Sequence, residues 1–175
     1  MERIESKTIY EGTLADLRVD RFRFQDGDEV EREVVEHPGS VAVVAYDDDH
    51  VHLIRQPREP VGDTALLEIP AGKMDVEGET RLECAKRELC EEVGLVASDW
   101  EEIRRFYTSP GLLTEVVSVF FATGIESTGD VAESADPEEH LELVLWPLGK
   151  LDDAIEACKD AKTLVGLLEL QKRLS

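Results

Sequence analysis

Residues 79–95, E-T-R-L-E-C-A-K-R-E-L-C-E-E-V-G-L, constrain the fold more than any other part of the chain. Thr80 followed three residues later by Glu83 is a capping box, which predicts a helix that begins near Arg81. Gly94 supplies the left-handed residue that commonly ends a helix. Apolar residues at spacings of three and four give this helix one face that can pack against a core: Leu82, Ala85, Leu89 and Val93.

The same helix carries acidic side chains that its folding does not require. Glu91 and Glu92 follow Glu88 by three and four residues, so the three carboxylates rise on neighbouring parts of one helical surface. Like charges at these spacings destabilise an isolated helix. A hard divalent cation would reverse that effect, because Mg²⁺ prefers oxygen ligands and often shares them with phosphates. The alternative interpretation is an ordinary solvated, acidic surface helix.

A short apolar strand and a glycine-containing loop precede this helix. Residues 66–72 read L-L-E-I-P-A-G, and residues 73–78 form the loop. This arrangement resembles the Nudix hydrolase signature, which reads Gly, five residues, Glu, seven residues, Arg-Glu-aliphatic, one residue, Glu-Glu, one residue, Gly-aliphatic. Six residues rather than five separate Gly72 from Glu79, which we interpret as an insertion in the loop. Eight positions lie at the required offsets: Glu79, Arg87, Glu88, Leu89, Glu91, Glu92, Gly94 and Leu95.

The resemblance implies a fold and a chemistry. The fold is α+β, the Nudix α/β/α sandwich with a mixed sheet, as a single domain over residues 1–175. The chemistry is hydrolysis of a diphosphate linked to another group, with Mg²⁺ or Mn²⁺ as cofactor. The metal ligands would be Glu88, Glu91, Glu92 and the backbone carbonyl of Ala71, and both Glu91 and Glu92 count among the catalytic residues. The residues that support these ligands would be Gly72, Glu79, Arg87 and Gly94.

Alternating and apolar patterns predict the remaining elements. In residues 1–38 they predict antiparallel strands near 7–10, 14–24 and 29–36, with a turn at residues 25–28. In residues 39–175 they predict a strand buried on both faces at 41–46 and further strands at 51–56, 66–72, 101–107, 116–122 and 141–146. Residues 124–139 read as an acidic loop. Helices are predicted at 151–158 and 161–174, and the second packs through Leu164, Leu167, Leu168 and Leu170.

Three further segments resemble the ADP-ribose pyrophosphatase branch of the family. The segment Arg55-Gln-Pro-Arg58 is similar to its Arg-Gln-aromatic-Arg segment, although Pro57 replaces the aromatic residue. The Ser-Pro-Gly sequence that starts at Ser109, with Glu115 beyond it, lies where that branch has a substrate loop. With Glu68 added, the implied substrate-binding residues are Arg55, Arg58, Glu68, Ser109 and Glu115. Plain alternatives are solvated arginines at a strand end and a Pro-Gly turn.

The acidic loop before the last strand offers the general base. In the same branch a loop glutamate reaches the metal site, and here the candidates are Glu139 first and Glu138 second. A loop carboxylate that approaches with the substrate can accept a proton from water without adding permanent repulsion. The alternative is an acidic loop of a halophilic protein that has no catalytic role. In this branch the N-terminal strands form a small sheet used in dimerisation, so residues 1–38 imply a homodimer.

Two other functions stay open at this point. The group linked to the diphosphate could be another sugar, a second nucleoside or the rest of a nucleoside triphosphate. The chain could also be a Nudix-fold sensor of a nucleotide ligand without catalysis, although such proteins usually lack part of the carboxylate set. The expected partner is a small nucleoside diphosphate compound.

Composition excludes several other classes of protein. With 40 acidic and 19 basic residues the net charge is −21, which argues against nucleic-acid binding. No apolar stretch is long enough to predict a membrane span, and the N-terminus lacks an apolar signal region. Three cysteines without metal-ligand spacing predict reduced thiols in a cytoplasmic protein. The charge suggests a halophilic protein from a salt-accumulating organism, and the alternative is an ordinary acidic protein.

The charge leads to a prediction about salt. Self-repulsion should destabilise the fold at low ionic strength, and in about 1 M salt the screening length falls to about 3 Å. The melting temperature is therefore expected to rise between about 0.1 M and about 2 M KCl. Calorimetric melting curves measure this, and a melting temperature that stays level over the range would contradict the halophilic hypothesis.

Overall fold

The computed structural model describes residues 1–13, 15–128 and 140–175. They divide into two compact units: the first consists of residues 1–39 and 106–116, and the second of residues 40–105 and 117–175. Among the described residues, no helix has the length and apolar character needed to cross a membrane.

The first unit is a three-stranded antiparallel sheet. Its strands are β1 (Glu2–Glu11), β2 (Asp16–Arg23) and β3 (Glu29–Glu36), in the order β1-β2-β3. The predicted turn between β2 and β3 is present, with Gly27 at φ 94°. Asp20 is buried on β2 and accepts hydrogen bonds from Ser6 (2.6 Å) and Arg18 (3.0 Å), so its charge is compensated inside the sheet.

Residues 106–116 complete this unit beside β3. The backbone N–H of Val35 donates to Leu112 O at 2.8 Å, and the N–H of Thr114 donates to Val35 O at 3.0 Å. The Thr114 hydroxyl also accepts the N–H of His37 at 2.9 Å. The Ser-Pro-Gly segment therefore belongs to the same compact unit as the N-terminal strands.

The second unit is built on a seven-stranded mixed sheet. Its main path is β10-β5-β4-β9-β8, with β6 paired to β5 and β7 paired to β4. The central strand β4 runs parallel to β9 and antiparallel to β5 and β7. The strands are β4 (Ser40–Tyr46), β5 (His50–Arg58), β6 (Asp63–Glu68), β7 (Ala71–Lys73), β8 (Leu95–Tyr107), β9 (Val116–Ser127) and β10 (Glu142–Pro147).

Helices cover both faces of this sheet because β4 is apolar on both. On one face α1 (Arg81–Val93) packs in a cluster with Val41, Val43 and Ala45 of β4. On the other face α3 (Ala161–Leu174) packs where Gly166 approaches Val44. A shorter helix, α2 (Leu151–Ala157), precedes α3, and 3₁₀ turns occupy Glu59–Val61 and Leu148–Lys150. This arrangement confirms the predicted α+β sandwich with its mixed sheet and additional antiparallel sheet.

Several element predictions need correction. Leu82 is 38% exposed and Leu168 is 44% exposed, so neither belongs to the core; Cys84, fully buried, fills the place expected for Leu82. The part of the predicted acidic loop at residues 124–127 is strand, because β9 extends to Ser127. The strand predicted at 66–72 ends at Glu68, and Ala71 starts a separate strand, β7, which pairs with β4 and includes the first residue of the predicted loop, Lys73. The second helix ends at Ala157 rather than Cys158, where the backbone becomes extended.

Gly166 sets how closely α3 can approach the sheet. A Cβ atom there would lie 2.7 Å from Val44 Cγ2 and 3.1 Å from Ile69 Cδ1, both in buried, stiff side chains. In an open helix, alanine in place of glycine is stabilising by up to about 1 kcal/mol. Here overpacking should outweigh that gain, so Gly166→Ala is expected to lower the free energy of unfolding by about 1–3 kcal/mol.

Chemical denaturation measures this change. Gly149→Ala is the matched control, because a Cβ atom at Gly149 meets nothing within 4 Å. Equal stability of the two variants, or a more stable Gly166→Ala protein, would contradict the packing argument.

Candidate active site

Hydrogen bonds define both ends of helix α1, which carries the acidic side chains. The capping box is present: the Thr80 hydroxyl accepts the N–H of Glu83 at 3.3 Å, and the Glu83 carboxylate accepts the N–H of Thr80 at 2.8 Å. Gly94 ends the helix at φ 64°, and its N–H donates to Cys90 O at 2.9 Å. The buried face holds Cys84, Ala85, Leu89 and Val93, so the carboxylates lie beside it.

Arg87 is the cation that holds the acidic side chains of this site. Its guanidinium donates to Glu79 from Nε (2.9 Å) and Nη2 (3.1 Å), and Nη1 donates to Glu88 (2.7 Å) and Glu91 (2.9 Å). Hydrogen bonding to Glu79 is the largest cause that raises the pKa of Arg87, and the same contact lowers the pKa of Glu79. One arginine therefore fixes three carboxylates, including one that precedes the helix.

The loop after β6 meets the carboxylates at its backbone. The N–H of Ala71 donates to Glu92 Oε2 at 2.8 Å, and Pro70 O accepts the N–H of Val43 at 2.8 Å. The carboxylate of Glu88 lies directly against Gly72, where a Cβ atom would overlap it. The extra residue between Gly72 and Glu79 leaves these contacts in place.

The donor set at this point fits a hard cation. The possible metal ligands here are all oxygen atoms, from three carboxylates and from the backbone of residues 71–72, whereas the Ala71 N–H is a hydrogen-bond donor. Because Gly72 has no Cβ atom, the Glu88 carboxylate can occupy space that any side chain at position 72 would fill. In the described part of the chain, no three His, Cys, Asp or Glu side chains converge on a ready-made ion site. Arg87 and the Ala71 N–H engage the carboxylates instead, so an ion would have to compete with them.

Cys84 lies under the acidic cluster. It is fully buried, and its thiol donates to Lys73 O at 3.4 Å. Burial is the main cause that raises the pKa of Cys84 to about 12, and the charges of Glu79 and Glu88 add to it. The thiol therefore stays protonated at neutral pH.

A second group of charges lies at the end of β5 and β6. The buried carboxylate of Glu68 accepts two hydrogen bonds from Arg58, from Nε at 2.6 Å and from Nη2 at 2.9 Å. Burial raises the pKa of Glu68, but the hydrogen bonds and charges of Arg58 and Lys162 outweigh it, so the net pKa is lowered. Arg55 is not part of this group, and its Nη1 donates to Ala65 O at 3.4 Å.

Residues from the start of α3 join this group, and sequence reasoning missed them. Lys162 Nζ contacts the carboxylates of Glu68 and, at 3.0 Å, Asp160. The Thr163 hydroxyl accepts the N–H of Ile69 at 2.9 Å and donates to Asp160 at 2.6 Å. The only signal in the sequence was Asp160 three residues before Thr163, the pattern of a helix N-cap.

Ser109 and Glu115 lie in the first unit. Ser109 O accepts the N–H of Leu113 at 2.8 Å and so closes the Ser-Pro-Gly turn, and the Thr108 hydroxyl donates to Glu115 at 2.8 Å. An apolar cavity of about 280 Å³ lies in this unit, lined by residues that include Phe22, Phe24 and the turn residues 110–114. The candidate bases Glu138 and Glu139 lie outside the described residues.

Comparison with known proteins gives consistent matches. A family model described as the NUDIX domain matches residues 36–165. An ADP-ribose pyrophosphatase of Bacillus subtilis is 37% identical over 179 residues, which cover 98% of this chain and 95% of that protein. An ADP-ribose pyrophosphatase of Mycobacterium tuberculosis is 44% identical over 142 residues, 81% of this chain but 65% of that protein.

A solved structure has the same fold. The crystal structure of an ADP compounds hydrolase aligns over 99% of this chain and 93% of that chain, with a TM-score of 0.84 and 24% identity. Together with the family match over residues 36–165 and the arrangement of Gly72, Arg87 and the helix α1 carboxylates, these similarities identify this chain as a member of the Nudix family.

Proposed function

We propose that this protein hydrolyses ADP-ribose to AMP and ribose 5-phosphate. The observation that carries the proposal is the contact of Glu88 with Gly72 together with that of Glu92 with Ala71, which gathers carboxylates and a backbone loop at one place. The similarity to two bacterial ADP-ribose pyrophosphatases supports ADP-ribose as the substrate.

The proposed cofactor is Mg²⁺ or Mn²⁺, held by Glu88, Glu91, Glu92 and the Ala71 carbonyl. When bound, such an ion neutralises the diphosphate and acidifies a coordinated water. Arg87 then serves to orient Glu88 and Glu91, which it already contacts at 2.7 and 2.9 Å.

The remaining chemistry falls to residues around that centre. Arg58 offers a guanidinium to a diphosphate oxygen, a contact that its planar, permanently charged group suits. Glu139, or Glu138 in its place, accepts a proton from the attacking water. The water oxygen then bonds to phosphorus as the bridging oxygen leaves with the other half of the substrate. Positioning and charge stabilisation supply most of the rate enhancement in such a reaction.

The first unit is the proposed source of substrate contacts and of a dimer interface. Ser109 and Glu115 are proposed to bind substrate, and an apolar cavity lies within the same unit. A homodimer through this sheet is supported by Ile9 and Tyr10 on β1, which are 52% and 64% exposed.

The setting we propose is the cytoplasm of a salt-accumulating cell. Cys84, Cys90 and Cys158 are all free thiols, which suits a reducing compartment. The net charge of −21 supports the halophilic part of the proposal.

The proposal predicts a loss of turnover in Glu92→Gln. The substitution keeps the size of the side chain and an oxygen that can accept the Ala71 N–H, but it removes the ligand charge. We expect kcat for ADP-ribose to fall by more than about a hundredfold, since loss of a merely supporting residue already costs about 10- to 100-fold. Release of AMP, measured by chromatography in high salt with Mg²⁺ or Mn²⁺, is the readout.

Glu156→Gln is the matched control, because Glu156 is an exposed glutamate on α2 and its loss removes the same charge. The assay includes other nucleoside diphosphate sugars, dinucleoside polyphosphates and nucleoside triphosphates. Near-normal turnover by Glu92→Gln would remove Glu92 from the metal site. Preference for another compound would change the substrate, and wild-type protein that binds nucleotides without turnover would support the sensor alternative.

A further inference from the structure

The charges at the start of α3 form an ordered series that ends at Arg58, a residue proposed to bind substrate. Asp160, Lys162, Glu68 and Arg58 follow one another with alternating sign, each in contact with the next. The distances are 3.0 Å from Asp160 to Lys162 and 2.6 Å from Glu68 to Arg58. The formal charges of these four side chains cancel, so the series can remain inside the protein at tolerable cost.

Only one member of this series is well exposed to solvent. Side-chain exposure is 1% for Glu68, 16% for Lys162 and 17% for Asp160, but 41% for Arg58. Among the described residues, Nη1 of Arg58 has no hydrogen-bond partner, while Nε and Nη2 are both taken by Glu68. In a protein with a net charge of −21, a fixed guanidinium with a free edge is a local site for an anion.

Strand pairing and hydrogen bonding both locate this guanidinium. The register of β5 against β6 shifts by one residue between Gln56 and Arg58, because β6 has an extra residue there, so Arg58 pairs with Asp63 beyond the irregularity. The bidentate contact with Glu68 then fixes the plane of the guanidinium. Thr163 connects the same group to the N–H of Ile69, two residues before Ala71.

We propose that Lys162 is a positioning residue for substrate binding, which acts by keeping the charge of Arg58 available. Lys162 and Arg58 both contact the buried Glu68, so Lys162 offsets part of its negative charge. Glu68 can then orient the Arg58 guanidinium without cancelling all of its positive charge. Without Lys162, Arg58 is the sole cation in contact with Glu68 among the described residues, and its attraction for a diphosphate falls. The inference rests on the proposed function, because the anion is the diphosphate of the substrate.

A double-mutant cycle tests this role. Lys162→Met keeps most of the apolar stem but removes the charge, and we expect it to raise KM for ADP-ribose about tenfold, the equivalent of one charge-assisted hydrogen bond. The change in kcat should stay within about twofold, because Lys162 is proposed to act on binding. In an Arg58→Ala background the same substitution should leave KM unchanged, since the residue through which it acts is missing.

Two further variants control for indirect effects. Lys159 lies three residues before Lys162, is exposed, and pairs with Asp63 at 3.1 Å. Lys159→Met should therefore leave KM at the wild-type value. Lys162→Arg retains the positive charge and should restore most of the affinity lost in Lys162→Met. Melting curves of all variants show whether a change in KM accompanies a loss of folding.

The outcomes separate this inference from the proposed function. Turnover of ADP-ribose by the wild-type protein tests the function alone. A rise in KM that is equally large in the Arg58→Ala background, or an unchanged KM in Lys162→Met, would overturn the role of Lys162. If the wild-type protein binds but does not hydrolyse, the same cycle is measured through the Kd for ADP in calorimetry. Absence of both turnover and ADP binding would overturn both proposals.

Discussion

The contact between Gly72 and the carboxylate of Glu88 is the constraint on which the second unit depends. A strand edge and a helix can meet this closely only where the strand residue has no Cβ atom. The contact requires β7 to pair with β4, α1 to pack on the face of the sheet that Val41, Val43 and Ala45 form, and the helix to begin at a defined residue. Capping box, apolar face and glycine are thus parts of one arrangement.

The charges of the second unit are compensated locally even though the chain is strongly acidic. Arg87 serves Glu79, Glu88 and Glu91, while Arg58 and Lys162 share Glu68. These cations are few, and two of them, Arg87 and Lys162, each hold more than one carboxylate. In a chain with 40 acidic residues, the position of each partly buried arginine therefore strongly affects the electrostatic potential of the site.

Local signals in the sequence predicted the helix and its surroundings well. Thr80, Glu83 and Gly94 define the ends of α1 through short-range hydrogen bonds, so the bounds of the helix could be read from spacing. Strand β4 was equally clear, because an apolar run buried on both faces leaves little alternative. The extension of β9 to Ser127 was missed because its last residues are polar and exposed, and pairing rather than burial makes them strand.

Contacts between distant residues could not be predicted in the same way. Glu68 and Arg58 were expected to bind substrate, but the contact between their side chains depends on how β5 pairs with β6, which no local pattern fixes. Lys162 lies 94 residues beyond Glu68, and only the packing of α3 brings them together. Leu82 was assigned to the core by its spacing, although the adjacent face, with Cys84, is the one that α1 buries.

The burial of Cys84 has a consequence for the chemistry of oxidative stress. Peroxides attack the thiolate rather than the protonated thiol, and a pKa of about 12 leaves almost no thiolate under physiological conditions. The helix that carries the acidic ligand candidates can therefore keep a sulfur atom next to Arg87 without becoming a redox sensor.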